Sequence, residues 1–318
     1  MRMSLASGGT LWLLLISGLS AQTYSVSLDV QQESWVTNSS FDQADLVKQC
    51  ADAGVRVGSP DNGLVLIEYK ETKGSAYGMF GIGDSGGYGT NIFYKMTLRS
   101  ASDAKRLVSF QVTSGTPGSV KSGANLYREA IGALHQTPEY ANSCTMIAAA
   151  LGSIEQAAKL LKWAVFNPEP LKLLEAMTFA PSSASDRAYF AVARRDFSQL
   201  ETLGSAAIDP LELFLKSRGI TDSRKEELQA TALALNTLAS VGDQKQTKVF
   251  LNVLGTPYAG FKFSDAQISA ALAGIAGLGK VGDVFALDTL ELWATKPAPL
   301  GPAATQAAEA LRARIVRR

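Results

Sequence analysis

The 318-residue chain is 46% apolar and 19% charged, with a formal net charge of +1. That composition describes a folded protein with room for two ordinary domains and excludes a disordered one. So even a charge balance offers no basic footprint for nucleic acid, and one histidine with two cysteines cannot supply a His/Cys metal centre.

Arg2 precedes a short apolar run from Leu11 to Leu19, and small residues follow at Gly18-Leu19-Ser20 or Leu19-Ser20-Ala21. This is the anatomy of a cleavable secretory signal, assigned to residues 1–20. The run is too short to span a bilayer as a permanent helix, and no cysteine beside it offers a lipid anchor. The protein is therefore expected to be secreted or periplasmic. In an oxidising compartment Cys50 and Cys144 become a disulfide candidate, with two separately buried thiols as the alternative.

Residues 21–138 read as a small α+β domain with an antiparallel sheet. Tyr24–Val30 alternates apolar and polar, as a strand does. Ser40 or Asp42 is placed to cap a helix carrying Phe41, Ala44, Leu46, Val47 and Cys50, which Gly54 ends. Val55–Val57 leads to a turn at Pro60-Asp61-Asn62-Gly63, where the Asn-Gly step suits a tight reversal. Strands are predicted over Leu64–Lys70, Asn91–Arg99 and Leu107–Thr113. In the second, Ile92, Tyr94, Met96 and Leu98 share one face, with Lys95, Thr97 and Arg99 on the other. A helix from about Ala124 to His135 follows.

From Tyr140 onward the strand signals stop. Helices are predicted over Met146–Leu151 and from Ile154 to Val165, the second with Ile154, Ala157, Ala158, Leu161 and Val165 on one stripe. Asn167-Pro168 and Asp209-Pro210 each read as a cap followed by proline, launching Leu171–Phe179 and Leu211–Ser217. Ser185–Arg195 is a further short helix. Ser223-Arg224-Lys225-Glu226 and Ser264-Asp265-Ala266-Gln267 read as capping boxes. After a Pro-rich linker at Lys296–Pro302, residues 301–318 form a last helix suited to capping a repeat array.

Within this half the chain repeats itself. Leu228, Ala232, Leu235, Leu238, Val241, Gly242 and Asp243 fall 40 residues before Ile268, Leu272, Ile275, Leu278, Val281, Gly282 and Asp283. Leu251 and Leu254 answer to Leu290 and Trp293 with a one-residue slip. A helix pair of this period marks an α-solenoid. Ala234–Asp243 and Ala273–Asp283 resemble the HEAT-repeat (phycobilisome-lyase-like) superfamily, which implies an all-α HEAT-like array over 139–300. The resemblance implies protein–protein scaffolding and carries no catalytic residue to transfer.

The glycine-rich loop 78–90 holds two literal motif matches. Gly83-Asp84-Ser85-Gly86-Gly87 spells a serine-protease nucleophile segment, but the lone His135 stands downstream, in the wrong order for that triad. Gly81-Ile82-Gly83-Asp84-Ser85-Gly86 satisfies a dinucleotide fingerprint, yet the element that follows alternates as a strand where a helix is required. Tyr77, Phe80 and Tyr88 among these glycines offer a possible binding loop, with cover for the sheet as the plainer role. His135 is expected to cap a helix end, Asp243 and Asp283 to cap the helices that follow them, and Arg194-Arg195-Asp196 with Arg312, Arg314, Arg317 and Arg318 to form solvated faces.

No catalytic, cofactor-binding or metal-ligating set emerges, so the sequence points to a non-enzymatic exported scaffold that binds a protein partner and neither nucleic acid nor a cofactor, with no membrane-spanning segment once the signal is removed. The alternative is an exported hydrolase using Glu68, Glu71 and Asp84, although the odd spacing of the two glutamates on a strand turns them to opposite faces.

Overall fold

The computed structural model describes residues 23–31, 43–58, 65–73, 90–99, 106–115, 132–222, 224–256 and 262–317. The expected signal at 1–20, the 60–63 turn, the loop carrying Tyr77, Phe80, Asp84 and Tyr88, and most of the helix expected before His135 lie outside them.

Strand β1 (Thr23–Gln31) and helix α1 (Gln43–Asp52) come first. Gly54 then takes φ +79°, a left-handed turn natural to glycine, and the chain enters β2 (Arg56–Gly58). Next come β3 (Val65–Lys73), β4 (Thr90–Arg99) and β5 (Arg106–Gly115). The strand order is β2-β1-β3-β4-β5. Two expectations change here. β1 pairs parallel with both β2 and β3, and only β3–β4 and β4–β5 are antiparallel, so the pairing is mixed. Nor is a separate α+β domain supported, because helices of the following array pack directly on β4, β5 and α1. On β4, Tyr94 and Met96 of the expected face are buried, and so is Thr97 from the opposite face, while the side chains of Ile92 and Leu98 lie outside those described.

The remainder is helical. Short helices α2 (Pro138–Ala141) and α3 (Ser143–Ala150) lead to α4 (Ile154–Ala164), α5 (Pro168–Ala176) and α6 (Ala184–Ala193). A 3-10 segment, Leu200–Ala207, precedes α7 (Ile208–Leu215). Then come α8 (Lys225–Val241), α9 (Thr247–Leu254), α10 (Asp265–Val281), α11 (Ala286–Ala294) and α12 (Leu300–Val316). No helix among the described residues is long and apolar enough to cross a membrane. The disulfide between Cys50 and Cys144 joins α1 to α3 across 94 residues of sequence.

Helices α8, α10 and α12 are each 17 residues long and pack side by side, while α9 and α11 lie against α10 and α12. The 40-residue spacing persists into the second helices without the anticipated slip. Gln246, Phe250 and Val253 are buried, and so are Ala286, Leu290 and Trp293, each 40 positions on. Burial pairs Phe250 with Leu290, where sequence similarity alone aligns Leu251.

Small residues on α10 set its distance to its neighbours. A Cβ on Gly277 would stand 2.2 Å from Cε1 of Phe250, one on Gly274 2.8 Å from Leu254, and one on Gly279 3.0 Å from Ala307. The repeated Val-Gly-Asp turn is also steric in origin: a Cβ on Gly242 or Gly282 would meet the carbonyl oxygen of Leu238 at 2.7 Å or of Leu278 at 2.3 Å.

Caps differ from expectation in places. Asn167 accepts from the Glu169 amide at 2.9 Å, so α5 opens at Pro168, ahead of Leu171. Asp209 lies inside the first turn of α7 and caps nothing, because the 3-10 segment runs straight into that helix. Ser264 and Gln267 form the expected box. Ser223, which opens the box expected at 223–226, lies outside the described residues; α8 starts from Arg224, which has no side-chain cap, and Asp222 accepts the Arg224 amide at 3.0 Å. A further box closes around Asp243 and Gln246. Asp283 accepts from the Phe285 amide at 3.0 Å, which fits the capping expected of both aspartates.

Candidate binding groove

Helices α4, α6, α7 and α9 leave an open groove of about 370 Å³ between them. Tyr189 of α6 and Leu215 of α7 form its buried floor, Leu213 and Val249 its apolar walls, and Lys162, Asp209, Lys216 and Asn252 its exposed rim. Its volume is at the lower end of the range for ligand sites.

The floor tyrosine is held by its surroundings. The Lys162 ammonium stands over its ring, 5.8 Å from the centroid. Burial, reinforced by the Asp209 carboxylate, raises the Tyr189 pKa above the ordinary phenol range, so it is a protonated donor at neutral pH. Although only 8% of the residue is exposed, its hydroxyl has no hydrogen-bond partner among the described residues. Asp209, Lys162 and Lys216 likewise form no ion pair among them. Glu212 is committed, accepting from the Gln246 side-chain amide at 3.0 Å and so tying the turn before α9 to α7.

A second polar cluster sits behind this wall. Arg195 and Arg218 stand 4.6 and 4.8 Å from the centroid of the Phe214 ring. Glu227 Oε2 lies 2.7 Å from Arg218 Nη1, and its other oxygen 3.8 Å from Arg195 Nη2. Arg195 takes φ +60°, and its Nη1 donates to the carbonyls of Val192 and Val165 at 3.0 and 3.2 Å. Burial pushes the Arg195 guanidinium below the usual arginine range, with Glu227 pulling the other way. The expected solvated face at 194–196 holds for Arg194 and Asp196, which are exposed, while Arg195 is half-buried and ties the end of α6 to Glu227 of α8. Arg314 also turns inward, donating to the Gly282 carbonyl, while Arg312 pairs with Glu291 at the surface.

The sequence-predicted positions scatter. His135 stacks on Tyr140 at 4.5 Å and 11°, with Nδ1 4.0 Å from Asp45 Oδ2. The cap expected of it is made by Thr137, whose hydroxyl donates to the Leu134 carbonyl at 2.6 Å. Glu68 and Glu71 stand on β3 opposite Lys95 and Ile92, and their side chains lie outside those described. Cys50 and Cys144 meet, whereas Tyr77, Phe80 and Tyr88 are outside the described residues. The groove residues were missed because Lys162, Tyr189, Asp209 and Lys216 share no motif. Only the unused proline device at Asp209-Pro210 marked their neighbourhood.

No protein-family model matches the chain, and neither a curated protein nor a solved structure matches it.

Proposed function

We propose that this is an exported, non-enzymatic interaction protein whose HEAT-like helical array holds a protein partner in the groove between α4, α6, α7 and α9. One observation carries the reading: apolar walls and the hydroxyl of the floor tyrosine converge with three charged side chains that form no ion pair among the described residues, in a single cleft. Such groups cost free energy when dehydrated without partners, and a docked chain supplies them. The 40-residue repeat supports the HEAT-like assignment, because stacked helix pairs build extended binding surfaces. The apolar run ending near Leu19 and the Cys50–Cys144 bridge support export, since disulfides persist in oxidising compartments.

The test uses the full chain carrying a photo-crosslinking residue either at Asn252, on the groove rim, or at Lys172, an exposed position on α5 away from it. Irradiated in the cell envelope, the Asn252 protein is expected to capture a discrete partner that the Lys172 protein does not. Capture from Lys172 alone would move the working surface elsewhere, and capture from neither would remove the scaffold reading.

A further inference from the structure

The charges around the groove are ordered, and their order specifies what docks there. Asp209, Glu212 and Leu213 project from α7 and Lys216 from its C-cap, and Asp209 and Lys216 are seven residues apart. Seven residues rise about 10 Å along a helix, so the wall that α7 presents to the groove has an acidic end and a basic end with Leu213 between them, while Lys162 of α4 stands over the Tyr189 ring. Formally the lining is neutral, two lysines against two carboxylates. A purely acidic or purely basic ligand would leave one pair of like charges facing it, whereas a dipolar ligand answers both ends. The Tyr189 hydroxyl, on a residue of the groove floor and without an intramolecular partner among the described residues, adds a donor there.

We infer that the groove takes a dipolar segment of a protein chain: a lysine or arginine facing Asp209 and an aspartate or glutamate facing Lys216. An apolar residue between them would rest on Leu213 and Val249, and a carbonyl would accept from Tyr189. Three residues of extended chain cover about 10 Å, so the two charges stand three or four positions apart in the segment. This inference rests on the scaffold reading and assigns the partner's chemistry at the same cleft.

Fluorescence anisotropy on the full chain tests it with fluorescein-labelled dodecapeptides of glycine and serine carrying Lys-Ala-Leu-Glu at the centre. Controls carry Gln-Ala-Leu-Gln, Lys-Ala-Leu-Lys or Glu-Ala-Leu-Glu. The dipolar peptide is expected to bind at least fivefold more tightly than any control, as two partly exposed charge pairs allow. Tyr189→Phe is expected to weaken it about fivefold, the worth of one hydrogen bond. Asp209→Lys should shift the preference to the doubly acidic peptide and Lys216→Glu to the doubly basic one. Both substitutions are at exposed positions, and circular dichroism confirms that each variant is folded. Equal binding of all four peptides, no binding of any, or an unchanged preference in both charge variants overturns the inference. A partner crosslinked at Asn252 whose capture ignores both substitutions also overturns it but leaves the scaffold reading standing, whereas absence of any crosslinked partner removes that reading.

Discussion

Gly277 on α10 is the most demanding small residue in the array. A Cβ there would sit 2.2, 2.6 and 2.9 Å from three atoms of the Phe250 ring, which is fully buried. Real side chains do not approach so closely, so Gly277→Ala must displace the ring or separate α9 from α10. Overpacking of this kind costs up to about 3 kcal/mol, and the helix propensity of alanine over glycine returns about 1 kcal/mol. The net expectation is a loss of about 2 kcal/mol, or about 3 °C in Tm for a chain of this size. Urea unfolding followed by circular dichroism reads it as a lower midpoint. Phe250→Leu in the same chain makes room for the methyl, so the double variant should recover at least about 1 kcal/mol relative to the sum of the singles. A Gly277→Ala protein as stable as the parent, or a double variant with no such coupling, would refute the reasoning.

Three further outcomes follow from other parts of the molecule. Replacing Cys50 and Cys144 by serine should cost about 4–5 kcal/mol on the chain-entropy account of a loop this long, and reducing agent should lower the parent Tm but leave the variant unmoved. Glu227→Gln removes the carboxylate that Arg195 and Arg218 share over Phe214, leaving Arg218 only Asp222 at 3.9 Å, and a loss of about 2 kcal/mol is expected in urea unfolding because the cluster is partly exposed. Burial raises the Tyr94 pKa above the ordinary phenol range, its hydrogen bond to Ser143 opposing only in part. The protonated form is therefore favoured in the fold, and that stability is present below about pH 10 and lost as pH rises past it, where the unfolded chain ionises. Urea midpoints between pH 8 and 11 should fall less steeply for Tyr94→Phe than for the parent.

The repeat was legible because it is written in side-chain volume. Leu235, Leu238, Ile275 and Leu278 recur at a fixed interval and are buried, and the Gly-Asp turn recurs because a backbone carbonyl crowds each glycine. The disulfide was legible because only two cysteines exist to pair. What the sequence concealed lies where distant residues converge without a spacing rule. Arg195, Arg218 and Glu227 come from three separate segments, and their pairing depends on how α6 and α8 meet. Arg195 looked solvated because charge alone does not report that its backbone turns left-handed beneath two carbonyls. The slip expected between Leu251 and Leu290 arose from matching residue identities, whereas the fold conserves buried positions and fills them with Phe250 in one repeat and Leu290 in the next.

The groove opens where the regular spacing fails, and Gly204 marks the place. Between α6 and α7 the chain spends eight residues, Leu200–Ala207, in 3-10 conformation, and this segment packs against α6, α7 and α8. Its direction changes at Gly204, with φ 57° and ψ −131°, a conformation closed to residues with a Cβ. Nothing stands within 4 Å of a Cβ built there, so the whole cost of Gly204→Ala is backbone strain, about 1–3 kcal/mol. That separates it from Gly277→Ala, where the backbone is ordinary helix and the whole cost is steric. Trimming neighbours should therefore rescue Gly277→Ala and do nothing for Gly204→Ala. The Gly204 variant should also bind the dipolar peptide less tightly, because the kink fixes where α7 presents Asp209 and Lys216 to α4 and α9. A Gly204→Ala protein with unchanged stability and unchanged peptide affinity would show that the kink is incidental to the cleft.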